Sequence, residues 1–222
     1  MVFDEILNLA KKVSQYTIAG EGNVSIRDGN TMLIKASGST LETMKDKDLV
    51  RCDLEGNALR GEKKKPSMEV SFHAWILKSF PEINCVCHTH PTNTNKILCS
   101  GRINDFANKR LFPDQVVRNG VKSCTVPYAT PGIPLREAIK KSVGEFIERY
   151  QFFPKLILLK NHGIITASAS VQEAVVSTLM CEKSAEIFIG AKILNTIQFL
   201  TPEEVAEVDT SPSEKYRREL YK

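Results

Sequence analysis

The chain has 222 residues, 42% apolar and 25% charged, with a formal net charge of +4, enough for one soluble domain with a sizeable core. The charge is too small and too scattered to argue for nucleic acid. No stretch approaches the roughly 18 apolar residues of a membrane span, and no basic-then-apolar leader opens the sequence, so neither membrane nor secretion is expected. With no composition shift to mark a boundary, the reading is a single domain over 1–222 whose charged end, from about 208, is mobile. The six cysteines, at 52, 85, 87, 99, 124 and 181, are dispersed through the chain and read as free thiols of a cytoplasmic protein.

Val2, Ile6, Leu9, Val13 and Ile18 recur at helical spacing up to Gly20, predicting an opening amphipathic helix. Gly22-Asn23 then leads into Val24-Ser25-Ile26-Arg27, a turn at Asp28-Gly29, and Met32-Leu33-Ile34, a hairpin signature. Small-residue loops flank it, Gly22-Asn23 before and Ala36-Ser37-Gly38-Ser39 after, and so come to the same end of the sheet. Such loops can be simple turns, or can offer free backbone N–H groups to a phosphate.

Leu49–Asp53 reads as a strand, and Lys63-Lys64-Lys65 as a solvated loop. Ser67 is a good N-cap for a helix reaching about Lys78, buried through Phe72, Trp75 and Ile76. Glu69 then sits in the first turn, where the helix dipole alone would explain a carboxylate, and His73 lies one turn on. Cys85 to His90 forms a strand ended by Pro91, followed by a helix through Thr94, Ile97 and Leu98. Residues 101–119 are hard to read. A short strand at Val121–Val126, a turn-rich loop at Pro127–Gly132, a helix at Leu135–Tyr150 and a buried strand at Leu156–Leu159 follow. Asn161–Gly163 turns into Ile164–Thr166, a long helix starts at Val171, and Thr201-Pro202-Glu203-Glu204 caps a short one.

His88-Thr89-His90 concentrates two of the four histidines. On a strand, alternate side chains share a face about 6.5–7 Å apart, so both rings can converge on one ion. For an isolated His-x-His a hydrogen-bonded pair is the commoner explanation. Parity turns Cys85 and Cys87 away from both rings, making them core residues. An antiparallel return from the preceding helix brings Glu69 over the pair, and His162, at the tip of a turn after a buried strand, is the candidate third ligand.

The order Gly22-Asn23-Val24-Ser25, Lys35-Ala36-Ser37-Gly38, Pro66-Ser67-Met68-Glu69 with His73, His88-Thr89-His90-Pro91, Pro127–Gly132 and Asn161-His162-Gly163 resembles the class II aldolase/adducin family. The resemblance implies an α/β fold, three-layer α/β/α on a mostly antiparallel sheet, and a ring-shaped homotetramer with sites between subunits. It implies a divalent metal, usually zinc, on His88, His90 and His162. Glu69 becomes acid/base and an additional ligand, and Tyr128 the group that handles the leaving aldehyde's proton. Gly22, Asn23, Ser37, Gly38 and Ser67 match positions that hold a substrate phosphate. Met68 departs from the pattern, standing where fuculose-phosphate aldolases carry a second serine.

The leading expectation is an aldolase that cleaves a sugar phosphate, a ketose 1-phosphate, to dihydroxyacetone phosphate and an aldehyde. Pentulose-phosphate 4-epimerisation and keto-acid-phosphate decarboxylation are the alternatives on the same scaffold. A non-catalytic adducin-like module would have no need of three histidines and Glu69 together.

Overall fold

The structure, a computed structural model, describes residues 2–220, except the side chains of 218 and 219. Seven strands form one sheet in the order β3-β2-β1-β4-β7-β6-β5. They are β1 (Asn23–Asp28), β2 (Thr31–Lys35), β3 (Leu49–Asp53), β4 (Cys85–Thr89), β5 (Cys124–Val126), β6 (Leu156–Leu159) and β7 (Gly163–Ser168). Every neighbouring pair is antiparallel except β5 with β6, which bears out the mostly antiparallel expectation.

Helices cover both faces, and strand parity decides which residues meet which layer. Met32, Ile34, Val86, Ile157, Leu159 and Ile165 pack on one face with α2 (Val70–Ser79) and α6 (Ile133–Tyr150). Val24, Ile26, Leu33, Cys85 and Cys87 face the opposite way, onto α1 (Val2–Val13) and α7 (Val171–Ile193). Beyond them Leu156, Leu158 and Ile164 pack with α3 (Thr92–Leu98), α4 (Ile103–Asn108) and α7. Cys85 and Cys87 are therefore core residues, and the six cysteines are free thiols.

Several local readings shift. The opening helix ends at Val13 and passes into a 3-10 turn at Ser14–Tyr16, leaving Ile18 exposed. The hairpin turn is Gly29-Asn30, since Asp28 pairs with Thr31. Only Gly29 has positive φ, the pattern of a type II′ turn with glycine first. α2 begins three residues beyond Ser67, so Glu69 stands at its N-cap rather than inside the first turn. Ser67 still serves that end, its Oγ accepting from the Glu69 N–H at 3.3 Å and its carbonyl from the Val70 N–H at 3.0 Å.

The segment that resists reading contains α4 and α5 (Pro113–Asn119). Fully buried Arg110 knits it together by donating to the carbonyls of Phe106, Ala107, Lys109 and Gly120 and to Ser123 Oγ. After α8 (Pro202–Thr210), residues within the end read as mobile form α9 (Pro212–Glu219), where Arg217 pairs with Asp114 of α5. Tyr216 is exposed, and Tyr221 lies outside the described residues. Among the described residues no helix is long and apolar enough to cross a membrane.

Candidate metal centre and substrate cleft

Three elements converge at the end of the sheet where β4 and β7 meet α2. His88 is the penultimate residue of β4, paired to Asn23 of β1 and to Ile165 of β7. His90 follows the strand. Its own N–H reaches the Tyr16 carbonyl at 3.1 Å, and the next helix is fixed where Glu182 of α7 accepts from the N–H groups of Asn93 and Thr94 at 2.9 Å each. His162 occupies the loop between Leu159 and Gly163, the last pair of the β6–β7 ladder. Asn161 takes the left-handed conformation there (φ 56°), and Asn95 Nδ2 donates to the His162 carbonyl at 3.1 Å. Gly163 is required by packing. A Cβ would lie 2.5 Å from both His90 Cδ2 and the Thr89 carbonyl oxygen.

The donor nitrogens of His88, His90 and His162 lie within 4.8 Å of one another. His88 Nδ1–H donates to the Ile164 carbonyl at 2.8 Å, which makes Nε2 the lone-pair nitrogen and aims it at the other rings, the usual arrangement behind a metal-ligating histidine. His90 Nε2 is 2.9 Å from it. Glu69 closes the fourth side, with Oε2 3.3 Å from His88 Nε2 and Oε1 3.5 Å from His162 Nε2. Oε1 is buried without a hydrogen-bond partner, a costly condition for a carboxylate oxygen.

Three converging imidazole lone pairs and an orphaned anionic oxygen fit a divalent cation, for which imidazole and carboxylate are suitable donors. Among the described residues no other group of three or more ligating side chains converges in this way. Burial raises the Glu69 pKa, but the adjacent His88, then Asn23 and His162, outweigh it and hold the carboxyl well below its usual range. Burial and His88 push His90 down to about 3, and burial lowers His162 as well. Both shifts favour the neutral ring that ligation demands, whereas at His88 burial acts the same way but Glu69 beside it outweighs burial and raises the pKa.

A cavity of about 290 Å³ opens beside this cluster, lined by His90, His162, Glu69, Met68, Ser67 and both small-residue loops, Gly20–Asn23 and Ser37-Gly38. Its size is at the lower end for small-molecule sites, about 300 Å³. Gly22 needs its positive φ of 66°, and a Cβ there would come within 2.8 Å of the His88 carbonyl oxygen. Gly22, Ser37, Gly38 and Ser67 thus share one wall. Asn23 lines it too, but its amide is also committed inward: Nδ2 donates to Glu69 Oε2 at 2.8 Å while Oδ1 accepts from His73 Nε2. His73 Nδ1 in turn accepts from Ser25 Oγ at 2.7 Å. Tyr128 is 61% exposed and outside the cavity wall, although Pro131 of the same loop reaches it.

Two buried groups here are named in the sequence only as members of motifs, and their roles escape sequence reasoning. His73, four residues after Glu69, carries helical spacing as its only signal. Lys35 looks like the polar end of a strand, yet is 2% exposed and lines the cavity.

Residues 5–189 match the family model for the class II aldolase and adducin N-terminal domain. A 3-oxo-tetronate 4-phosphate decarboxylase of Haemophilus influenzae is 32% identical over 87% of this chain and 88% of its own length. An L-fuculose phosphate aldolase of Methanococcus maripaludis is 30% identical over 78% of this chain and 87% of its own. Among solved structures, YgbL of Escherichia coli superposes with a TM-score of 0.78 at 27% identity, covering 92% of this chain and 96% of that one. An L-fuculose 1-phosphate aldolase superposes with a TM-score of 0.80 at 24% identity, covering 97% and 96%. The family match spans both loops, Glu69 and all three clustered histidines, and the chain belongs to the class II aldolase and adducin family.

Proposed function

We propose that the protein is a divalent-metal-dependent carbon–carbon lyase acting on a small phosphorylated sugar or sugar acid. The observation that carries this reading is the orphaned Glu69 Oε1 beside three converging imidazoles. His88, His90 and His162 would hold the ion, zinc by family resemblance, with Glu69 as a further ligand when no substrate is bound. Once bound, the ion would supply a Lewis acid for the negative charge that develops on substrate oxygens as the bond breaks.

The chain's own residues supply the rest. Glu69, ionised and held by Asn23 at rest, would take up a proton from the substrate's hydroxyl or from water and deliver it to the carbon uncovered by bond cleavage. Gly22, Asn23, Ser37, Gly38 and Ser67 would grip the phosphate, so that remote binding energy orients the reacting bond.

Two leaving fragments suit this half-reaction. Carbon dioxide needs no further acid, and the decarboxylase relatives match 87–92% of this chain against 78% for the archaeal fuculose-phosphate aldolases, which favours decarboxylation of a 3-oxo acid phosphate. An aldehyde forms only as the substrate hydroxyl beyond the breaking bond gives up its proton. Tyr128 would relay that proton by reaching into a neighbouring subunit of the tetramer, a role its exposure suits, and this supports aldol cleavage of a ketose 1-phosphate as the second reading.

The deciding experiment loads the purified protein with metal. It then follows carbon dioxide from 3-oxo-tetronate 4-phosphate, and dihydroxyacetone phosphate from a panel of ketose 1-phosphates. Release of neither product by metal-replete protein refutes the lyase reading.

A further inference from the structure

Asn23 and Ser25 are two residues apart on β1 and so share the face that meets α2, where Glu69 and His73 stand one turn apart. The two pairs interleave into a single chain of hydrogen bonds. Ser25 Oγ lies 2.7 Å from His73 Nδ1, His73 Nε2 meets Asn23 Oδ1, and Asn23 Nδ2 donates to Glu69 Oε2 at 2.8 Å. All four residues are buried, Ser25 and His73 completely. Phe72 stacks on the His73 ring with centroids 4.5 Å apart.

Only one direction of donation satisfies every member of the chain. Burial holds His73 neutral at pH 7, with one ring N–H and one lone pair. An ionised carboxylate only accepts, so Asn23 turns its NH2 toward Glu69 and its carbonyl toward His73. His73 must then carry its proton on Nε2. Nδ1 is left to accept from Ser25, whose hydroxyl hydrogen has no other acceptor among the described residues. The reverse direction would set the Asn23 carbonyl against the carboxylate and strand the Ser25 hydrogen, two uncompensated polar groups in a buried site.

This direction reaches the reacting end. With an N–H fixed on Oε2, a proton on that oxygen would face a donor. A proton taken up by Glu69 has its place on Oε1 instead, which faces His162 and makes no hydrogen bond. We propose that His73 is a positioning residue for the reaction: it holds the Asn23 amide in one orientation and so makes Oε1 the oxygen of Glu69 that carries the proton. The proton arrives there from the substrate's hydroxyl or from water and leaves for the uncovered carbon, so Glu69 ends ionised as it began. Asn23 keeps one free N–H and meets substrate as a donor only. The proposal rests on the lyase reading for the reaction, but the direction of the hydrogen bonds does not.

Neutron diffraction from deuterated, metal-loaded wild type tests that direction without turnover. Deuterium is expected on His73 Nε2 and not on Nδ1, with the Asn23 amide nitrogen toward Glu69. Kinetics on whichever substrate the wild type turns over tests the consequence. His73→Leu, which leaves Asn23 free to turn over, is expected to lose about 10–100-fold in kcat, with metal content unchanged and KM within about threefold of wild type. His73→Gln, whose amide can donate to Asn23 Oδ1 from the place of Nε2, should regain most of that loss.

Deuterium on Nδ1, or an Asn23 carbonyl turned toward Glu69, overturns the proposal and needs no variant to fold. So does a His73→Leu variant with wild-type kcat, or an equal loss in the Leu and Gln variants, which would make His73 a packing residue. Metal-replete wild type that turns over neither substrate refutes the lyase reading, and the neutron map still decides whether His73 locks Asn23.

Discussion

The two oxygens of Glu69 are held unequally: Asn23 donates to Oε2, which also lies beside His88 Nε2, while Oε1 faces His162 without a hydrogen bond. Replacing Glu69 by Gln preserves the shape and the Asn23 contact but removes the charge and the proton acceptor. Turnover is expected to fall by on the order of 10²–10⁴-fold, with metal content near wild type by elemental analysis; full activity in that variant would take the proton-transfer role from Glu69. Behind it, His73 is fully buried between Ser25 and Asn23, and burial lowers its pKa to about 3. The unfolded chain protonates this ring near 6.5, so between about pH 3 and 6.5 the unfolded state binds the extra proton. Stability from this group is complete above that window and is lost as pH falls through it, by up to about 1.4 kcal/mol per pH unit. A His73→Leu variant is expected to be less stable at pH 7.5, because Asn23 and Ser25 lose a partner at about 1–3 kcal/mol each. Its denaturation midpoint should nevertheless change less than that of wild type between pH 7 and 5. The sequence marks His88, His90, His162 and Glu69 because strand parity and turn chemistry are local. It is silent on the roles of His73 and Lys35 because burial of a polar side chain depends on which loops close over it.

At the level of elements, the site is a consequence of how β4, β7 and α2 are spliced. The β4–β7 pairing of His88 with Ile165 and Thr89 with Ile164 brings the His162 loop beside the His-x-His pair. Gly163 permits the approach, since any Cβ would strike the Thr89 carbonyl, a backbone atom that cannot rotate away. Gly163→Ala is therefore expected to weaken metal binding by at least about tenfold. Calorimetric metal titration checks this, with retained circular dichroism separating it from misfolding. The strand β6 is legible to the residue because its apolar run is uninterrupted, and β3 because the turn residues Glu55-Gly56-Asn57 bound it. The hairpin turn slips by one position because Asp28-Gly29 and Gly29-Asn30 are both good turn dipeptides, and the pairing of Asp28 with Thr31 across the strands decides between them. The start of α2 moves from Ser67 to Glu69 because Ser67 Oγ binds the Glu69 N–H, one turn-forming contact before the helical ladder begins. The helices between Gly101 and Asn119 are invisible to periodicity since their organiser, Arg110, binds carbonyls rather than presenting an apolar face.

On the scale of the whole molecule, four of the eleven large apolar residues exposed among the described residues stand in or next to the segments that line the cavity. Met68 is in the cavity wall, Ile18 precedes Gly20 of that wall, and Tyr128 and Ile133 flank Pro131, which also lines it. Ile18, Met68, Tyr128 and Ile133 are 75%, 77%, 61% and 55% exposed in the single chain. Large apolar side chains gathered beside a cleft mark a surface that another protein covers, and the homotetramer expected from family resemblance would use it to place each cavity between subunits. A carboxylate at its centre should be incompatible with assembly, because burying an unpaired charge costs several kcal/mol. Ile133→Asp, at an exposed position near the start of α6, is expected to fold and to keep its metal, but to sediment near the 24.8 kDa of one chain instead of four times that mass. Turnover should fall with it if Tyr128 acts across the interface. A variant that stayed tetrameric in analytical ultracentrifugation would show that assembly uses a different face. One that became monomeric with full turnover would confine the whole reaction to a single chain and remove Tyr128 of a neighbour from the mechanism.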